Sequence, residues 1–117
     1  MKNKTTIHKE EKVDIDSNTL VEDIEQWFID RNLNNCEPTK QMLKLYEEVG
    51  EISAAMARND MDKIKDGIGD VTVVLIGLSM QLGLNYEDCV RMAYNEIKDR
   101  KGRLVNGVFV KEKDLNQ

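Results

Sequence analysis

Two groups of acidic residues have the types and spacing that suit a divalent metal ion. Glu47, Glu48 and Glu51 lie in the run LYEEVGEI, and Asp66 and Asp70 lie in DGIGD. On helices, Glu48 and Glu51 would be one turn apart, and Asp66 and Asp70 would share a face. Carboxylates this close repel one another unless a cation lies between them, and Mg²⁺ prefers several oxygen ligands. The spacing therefore predicts a metal site. The alternative is an ordinary solvated helix face, which often carries the same pattern.

The hydrophobic pattern predicts the two helices that would position these acids. One of them, the second helix along the chain, covers about residues 37–58, with Pro38 at its first helical position. Its apolar stripe contains Met42, Leu45, Val49, Ile52 and Met56. A second stripe borders this one and contains Gln41, Lys44, Glu48 and Glu51, so we expect Glu48 and Glu51 at the margin of the core. The other helix covers residues 61–81 and is apolar almost all round after Asp70, which predicts burial by its own bundle and by another subunit.

The remaining pattern predicts two more helices, over about residues 17–32 and 85–101, with Gly102 as the stop of the last. Asn106–Gly107 between short β-branched and aromatic runs predicts a two-residue β-hairpin. The expected fold is all-α, a four-helix bundle with a short C-terminal β-hairpin. We divide the chain into an N-terminal arm (1–16), a helical domain (17–103) and a C-terminal tail (104–117).

Composition narrows the classes of partner. The chain has 117 residues, with 22 acidic against 17 basic side chains and a formal net charge of −5. An acidic chain without a basic cluster is expected to bind nucleic acids and anionic membranes poorly, because basic side chains must neutralise the phosphates of both. The start of the chain lacks the apolar stretch of a signal peptide, and residues 71–82 are too few to span a bilayer. We therefore expect a cytoplasmic protein that binds neither nucleic acid nor membrane.

Cations near the end of the fourth helix could complement the acids. Asn95 and Lys98 share a face, and Arg100 follows. Cations also stabilise a helix C-terminus through its dipole, which is the ordinary explanation for them. Trp27 could stack on a base, although its place in the apolar stripe of the first helix favours the core.

Together these residues resemble the MazG-like branch of the all-α NTP pyrophosphatases, whose pattern is EExxE, a spacer and ExxD. Glu47, Glu48, Glu51 and Asp70 match this pattern. Gly67 stands where the family has its penultimate acid, and Asp66 is the nearest substitute. The similarity covers roughly residues 18–112 and is greatest to short single-domain forms found in phage genomes.

The resemblance implies hydrolysis of (deoxy)nucleoside triphosphates to the monophosphate and pyrophosphate, with Mg²⁺ or Mn²⁺, in a homo-oligomer of two or four subunits. It implies that Glu48, Glu51 and Asp70 are metal ligands and that Asp66 is an additional ligand. Glu47 would orient or deprotonate the attacking water. Phosphate charge would be neutralised by Lys98, as a catalytic cation, and by Arg100 and Lys44. Asn95 and Gln41 would bond to sugar, base or phosphate.

Two other interpretations remain open. One is a dimeric dUTPase- or dCTPase-like enzyme with narrow base specificity, which a panel of nucleotides would distinguish from a broad-range enzyme. The other is a catalytically inactive helical oligomer that binds a nucleotide or a protein. Gly67 favours the inactive form, which would bind metal or nucleotide without turnover.

Overall fold

The computed structural model describes residues 17–115, with side chains from residue 19 onward. It contains four helices, α1 (Ser17–Asp30), α2 (Pro38–Ala57), α3 (Met61–Gln81) and α4 (Tyr86–Ile97), and an antiparallel hairpin of β1 (Gly102–Val105) and β2 (Val108–Lys111). Short 3₁₀ turns cover Leu33–Asn35 and Glu112–Asp114. The predicted all-α class, the four helices and the C-terminal hairpin are confirmed. The arm predicted over residues 1–16 lies outside the described residues, and the division into arm, domain and tail stays a prediction.

Three of the helices begin at side chains that accept a backbone N–H, as their sequences indicate. The carboxylates of Glu37 and Asp60 and the amide oxygen of Asn85 accept from Thr39, Lys63 and Asp88 at 3.1, 3.2 and 2.9 Å. These caps satisfy N–H groups that have no partner inside a helix. Local sequence therefore sets where α2, α3 and α4 begin.

The fourth helix is shorter than predicted, because the hairpin takes over the end of the segment. Helix α4 ends at Ile97 instead of Lys101, and β1 already begins at Gly102. The backbone N–H of Glu112 bonds to the carbonyl of Lys101 at 2.7 Å. A Cβ at Gly102 would collide with the Val110 carbonyl oxygen. Residues 98–101 therefore form a turn and an irregular link to β1 where the last helical turn was expected.

Residues 17–84 form one compact unit, in which α3 packs against both α1 and α2. Its core contains Phe28 of α1, Ala55 of α2, and Val74 and Ile76 of α3. Glycines let the helices approach closely: a Cβ at Gly77 would collide with the Phe28 ring. This contact fixes the distance between α3 and α1.

The predicted orientation of α2 is wrong in one respect. Its apolar stripe was expected to line the core, but Met42, Val49 and Met56 are 37%, 50% and 61% exposed. The buried residues of α2 are Glu48 and Ala55. Helix α3 therefore packs on the neighbouring stripe, and Glu48 lies inside the contact between α2 and α3, whereas Glu51 stays exposed at its margin.

The second compact unit, residues 85–115, contains α4 and the hairpin. Leu104 pairs with Phe109 and Val105 with Val108. Asn106 and Gly107 both have left-handed backbone, with φ of 51° and 80°, as a type I′ turn requires. Among the described helices no single one is long and apolar enough to cross a membrane, although α3 and α4 taken as a broken pair pass on length and composition.

Candidate active site

Helices α2 and α3 form a helical hairpin that brings the two acidic groups together. Only Arg58, Asn59 and Asp60 separate the two helices along the chain. Gly67 of α3 is buried against α2, where a Cβ would lie 2.6 Å from Ile52 Cγ1. This close approach explains the glycine, whose presence in a helix otherwise lowers stability by about 1 kcal/mol relative to alanine.

Glu48 is the most deeply placed acid, with 6% of its surface exposed. Its Oε2 lies 3.4 Å from Lys44 Nζ, one turn earlier on the same helix. Its other carboxylate oxygen, Oε1, is buried and has no hydrogen-bond partner. A buried carboxylate oxygen without a partner is energetically unfavourable. A hydrogen-bond donor or a cation at Oε1 would therefore lower the energy of this site.

Asp70 of α3 lies beside Glu48, and its surroundings oppose ionisation. Burial raises the pKa of this carboxyl, and the charges of Asp66 and Glu48 raise the pKa further. The charge of Lys44 acts in the opposite direction. Three carboxylates this close without sufficient compensation form a site of strongly negative potential.

A cleft of about 410 Å³ opens beside these acids. Glu51, Asp66 and Asp70 line it, together with Ala54 and Gly67. Arg58 and Lys63 line it as well, and sequence reasoning missed both. A signal was present, because Arg58 follows Glu51 by seven residues and Lys63 precedes Asp70 by seven. That spacing of two turns keeps each pair on one helix face.

The remaining predicted site residues of α2 have defined positions. Lys44 lies between two acids, with its Nζ 3.7 Å from Glu47 Oε1 and 3.4 Å from Glu48 Oε2. Bonding to Glu48 and the charge of Glu48 raise the pKa of Lys44. Glu47 is exposed. Gln41 has a structural contact: its amide nitrogen donates to the Val74 carbonyl at 3.1 Å, which joins α2 to α3.

Trp27 lies on α1, away from the residues that line the acidic cleft. It is half exposed, and the Arg31 guanidinium carbon lies 4.2 Å from the centre of its ring. Its ring meets Phe28 edge-on at 5.3 Å. It lines an apolar groove of about 290 Å³ with Leu20, Asp23, Ile24 and Val73. Its predicted stacking on a base stays a prediction.

Asn95, Lys98 and Arg100 belong to the second unit and are exposed. Asn95 lies in α4, and Lys98 follows its last residue as the C-cap. Arg100 lies beyond the helix, and its backbone N–H bonds to the Ile97 carbonyl at 2.9 Å. Their predicted contacts with a substrate stay predictions.

Comparison with known proteins shows which family the chain belongs to. The family model of the MazG nucleotide pyrophosphohydrolase domain matches residues 37–105, which is more than half of the chain and includes all of α2 and α3. The chain belongs to the MazG family. Membership supports nucleotide pyrophosphohydrolase activity in general, and enzymes of this family are generally divalent-metal dependent.

A phage protein is similar to this MazG domain. It is described as an uncharacterized 18.2 kDa protein in the rep-hol intergenic region of Haemophilus phage HP1 (strain HP1c1), and it is 48% identical over 67 residues. The match covers 56% of this chain and 41% of the relative, so the chain corresponds to less than half of that protein. No solved structure matches the chain.

The residues present in the MazG domain fit a divalent cation by their chemistry. Glu48, Glu51, Asp66 and Asp70 supply only carboxylate oxygens, the ligands that Mg²⁺ prefers. The unpartnered Oε1 of Glu48 indicates a missing donor or cation. Within residues 17–115, no three such side chains already converge on one point. The fit therefore rests on the donor set and on the unpartnered oxygen.

Proposed function

We propose that this chain hydrolyses (deoxy)nucleoside triphosphates to the monophosphate and pyrophosphate with Mg²⁺ or Mn²⁺. The observation that carries the proposal is the buried Glu48 carboxylate, whose Oε1 lacks a partner while Asp70 lies beside it. The ion pair with Lys44 involves only Oε2, so it leaves Oε1 without a partner. A site that must bind a cation keeps an oxygen available in advance.

Glu48, Glu51 and Asp70 would hold the cation, and Asp66 would add a fourth carboxylate from the same cleft. Asp66 takes the part of the family acid that is absent at Gly67, because Gly67 packs on Ile52 while Asp66 lines the cleft. When bound, a divalent cation neutralises phosphate oxygens and acidifies a nearby water. The carboxylates fix where that charge acts, which is the larger part of catalysis in phosphoryl transfer.

Glu47 is the proposed proton acceptor for the attacking water. It is exposed to solvent next to Glu48, and Lys44 lies between the two carboxylates. Lys44 would hold Glu47 and Glu48 at a fixed separation and offset their repulsion. Lys98, Arg100 and Asn95 are proposed to contact phosphate, sugar or base.

The exposed apolar stripe of α2 supports the proposal of a homo-oligomer. Met42, Tyr46, Val49 and Met56 repeat at heptad-like spacing and are all exposed in the single chain. Contiguous exposed apolar surface on one helix is typical of a protein–protein interface. Val49→Glu should reduce the mass measured by light scattering, and an unchanged mass would show that the stripe is not the interface.

The direct test measures pyrophosphate release from a panel of canonical and modified NTPs and dNTPs with Mg²⁺ or Mn²⁺. Glu51→Gln should remove the activity without unfolding the protein, because it keeps the shape of the side chain and removes its charge. Wild-type turnover in Glu51→Gln would exclude Glu51 from the site. Preference for one pyrimidine triphosphate would favour the dUTPase- or dCTPase-like alternative. Metal or nucleotide binding without turnover would favour the inactive alternative.

A further inference from the structure

Two cations share the cleft with the acids and are not paired with them. Arg58 and Lys63 line the same cleft as Glu51, Asp66 and Asp70. Among residues 17–115, the ion pairs within 4.0 Å involve Lys44 and Arg91 and neither of these two cations. The side chains of Arg58 and Lys63 also make no hydrogen bond in that part of the chain. Their donors are therefore available to an anion that enters the cleft.

The positions of these cations in the helical hairpin separate them from the acids. Arg58 ends α2, seven residues after Glu51, and Lys63 lies in the first turn of α3, seven residues before Asp70. At 1.5 Å per residue, seven residues span about 10 Å along each helix. Because α2 and α3 meet at the Arg58–Asp60 turn, both cations lie at the turn end of the cleft. The cleft thus has an acidic end at Glu51 and Asp70 and a basic end at Arg58 and Lys63, and Asp66 lies between them, one helical turn after Lys63.

A triphosphate would suit such a cleft if its phosphate at the acidic end contacted a cation held by the acids. Attack at the α-phosphorus would place the α-phosphate near the acidic end, where Glu51 and Asp70 line the cleft. The β- and γ-phosphates then continue along the cleft and carry the remaining charge. Arginine and lysine at the turn end would bind these oxygens through charge-assisted hydrogen bonds.

We propose that Arg58 and Lys63 bind the terminal phosphates of the substrate and make the site select nucleoside triphosphates over diphosphates and monophosphates. This inference rests on the proposed function, because it assigns the acidic end to the α-phosphate. It also assigns the departing pyrophosphate to these two side chains, which neutralise the charge that it gains as the bond to the α-phosphate breaks.

The first experiment measures binding of inorganic pyrophosphate in the presence of Mg²⁺ by titration calorimetry. We compare the wild type with Arg58→Gln, Lys63→Gln and the control Lys65→Gln, whose lysine is exposed on α3 and does not line the cleft. Loss of a charge-assisted hydrogen bond should weaken binding about tenfold or more in Arg58→Gln and Lys63→Gln. Lys65→Gln should stay within about twofold. Lys63→Arg should retain binding, because it keeps the charge.

The same variants separate phosphate binding from metal binding. Without phosphate, Mn²⁺ affinity measured by electron paramagnetic resonance should be unchanged in Arg58→Gln and Lys63→Gln, because neither side chain is a ligand. In turnover assays, both should lower the ratio of kcat/KM for a triphosphate to that for the matching diphosphate. Wild-type pyrophosphate affinity in both variants would overturn the inference, as would equal losses in Lys65→Gln.

Failure of the inference and failure of the proposed function give different results. If no nucleotide is hydrolysed but Mg²⁺–pyrophosphate binding is lost in Arg58→Gln and Lys63→Gln, the basic end is a phosphate site and the hydrolase proposal is wrong. If wild-type turnover needs Glu51 and both variants retain pyrophosphate affinity and triphosphate preference, the hydrolase proposal stands and the two cations have no role in substrate binding.

Discussion

Alanine substitutions at two glycines of α3 should have opposite effects on stability. Gly67 and Gly69 are two residues apart in the same helix, but their surroundings differ. A Cβ at Gly67 would lie 2.6 Å from Ile52 Cγ1, whereas a Cβ at Gly69 would meet nothing within 4 Å. Ile52 Cγ1 is close to the backbone of α2 and cannot move as the end of a long side chain can. The clash must therefore separate the helices or distort Ile52.

The expected magnitudes follow from these two surroundings. Alanine in a helix gains about 1 kcal/mol over glycine at either site. At Gly67 the overpacking costs about 1–3 kcal/mol, so Gly67→Ala should be destabilised by about 1 kcal/mol in net terms. Gly69→Ala should be stabilised by about 1 kcal/mol. At roughly 4 °C per kcal/mol for a domain of this size, the two melting temperatures should differ by roughly 8 °C.

Urea unfolding followed by circular dichroism would measure both free energies, with Gly50→Ala as a second unhindered control. In an Ile52→Ala background the clash partner is absent, and Gly67→Ala should then become neutral or stabilising. That double-mutant cycle isolates the contact between the two residues. A Gly67→Ala variant as stable as Gly69→Ala, or no coupling to Ile52, would refute close packing as the reason for glycine at position 67.

Three further predictions concern the acids and the core. Asp70→Asn should stabilise the metal-free protein at neutral pH, because burial and then the charges of Asp66 and Glu48 raise the pKa of Asp70. The free energy of unfolding of the wild type therefore falls as pH rises from the ordinary aspartate pKa, about 3.9, through the raised pKa of Asp70. Urea unfolding at several pH values should show no advantage for the variant below that range. An advantage that is constant with pH would contradict this cause. Mg²⁺ at about 100 times its Kd should stabilise the wild type by about 2.7 kcal/mol in thermal unfolding, and Glu48→Gln should lose most of that shift; equal shifts in both would remove Glu48 from the site. Gly77→Ala should destabilise the protein by about 1–3 kcal/mol in urea unfolding, because its Cβ would overlap the Phe28 ring, and a stabilised variant would show that the ring moves freely.

Much of the secondary structure follows from short stretches of sequence. Glu37, Asp60 and Asn85 each cap the helix that their position indicates, and the Asn106–Gly107 pair forms the expected turn. These are local decisions, because a cap or a turn depends on a few neighbouring residues. The predicted end of α4 was wrong because that end depends on a contact with a later part of the chain. The Lys101 carbonyl bonds to the Glu112 N–H, eleven residues later, and no pattern within α4 indicates that contact.

The candidate site shows the same division between local and tertiary effects. The types and spacing of Glu47, Glu48, Glu51 and Asp70 are legible in the sequence and match a family pattern. The sequence did not reveal that Arg58 and Lys63 share their cleft. Periodicity places residues on a helix face, but which faces meet depends on how the two helices turn toward each other at residues 58–60.

The sequence by itself determined the helices, their starting residues, the hairpin turn and the acidic residues, because each depends on contacts within a few positions of the chain. Only the tertiary structure decided that α3 packs on the stripe of α2 that contains Glu48. That choice leaves Met42, Val49 and Met56 exposed and buries a carboxylate instead. Apolar burial alone would favour the opposite orientation. The close contact of Gly67 with Ile52 and the packing of Gly77 against Phe28 hold the helices in this arrangement, and no pattern in a single helix encodes such contacts.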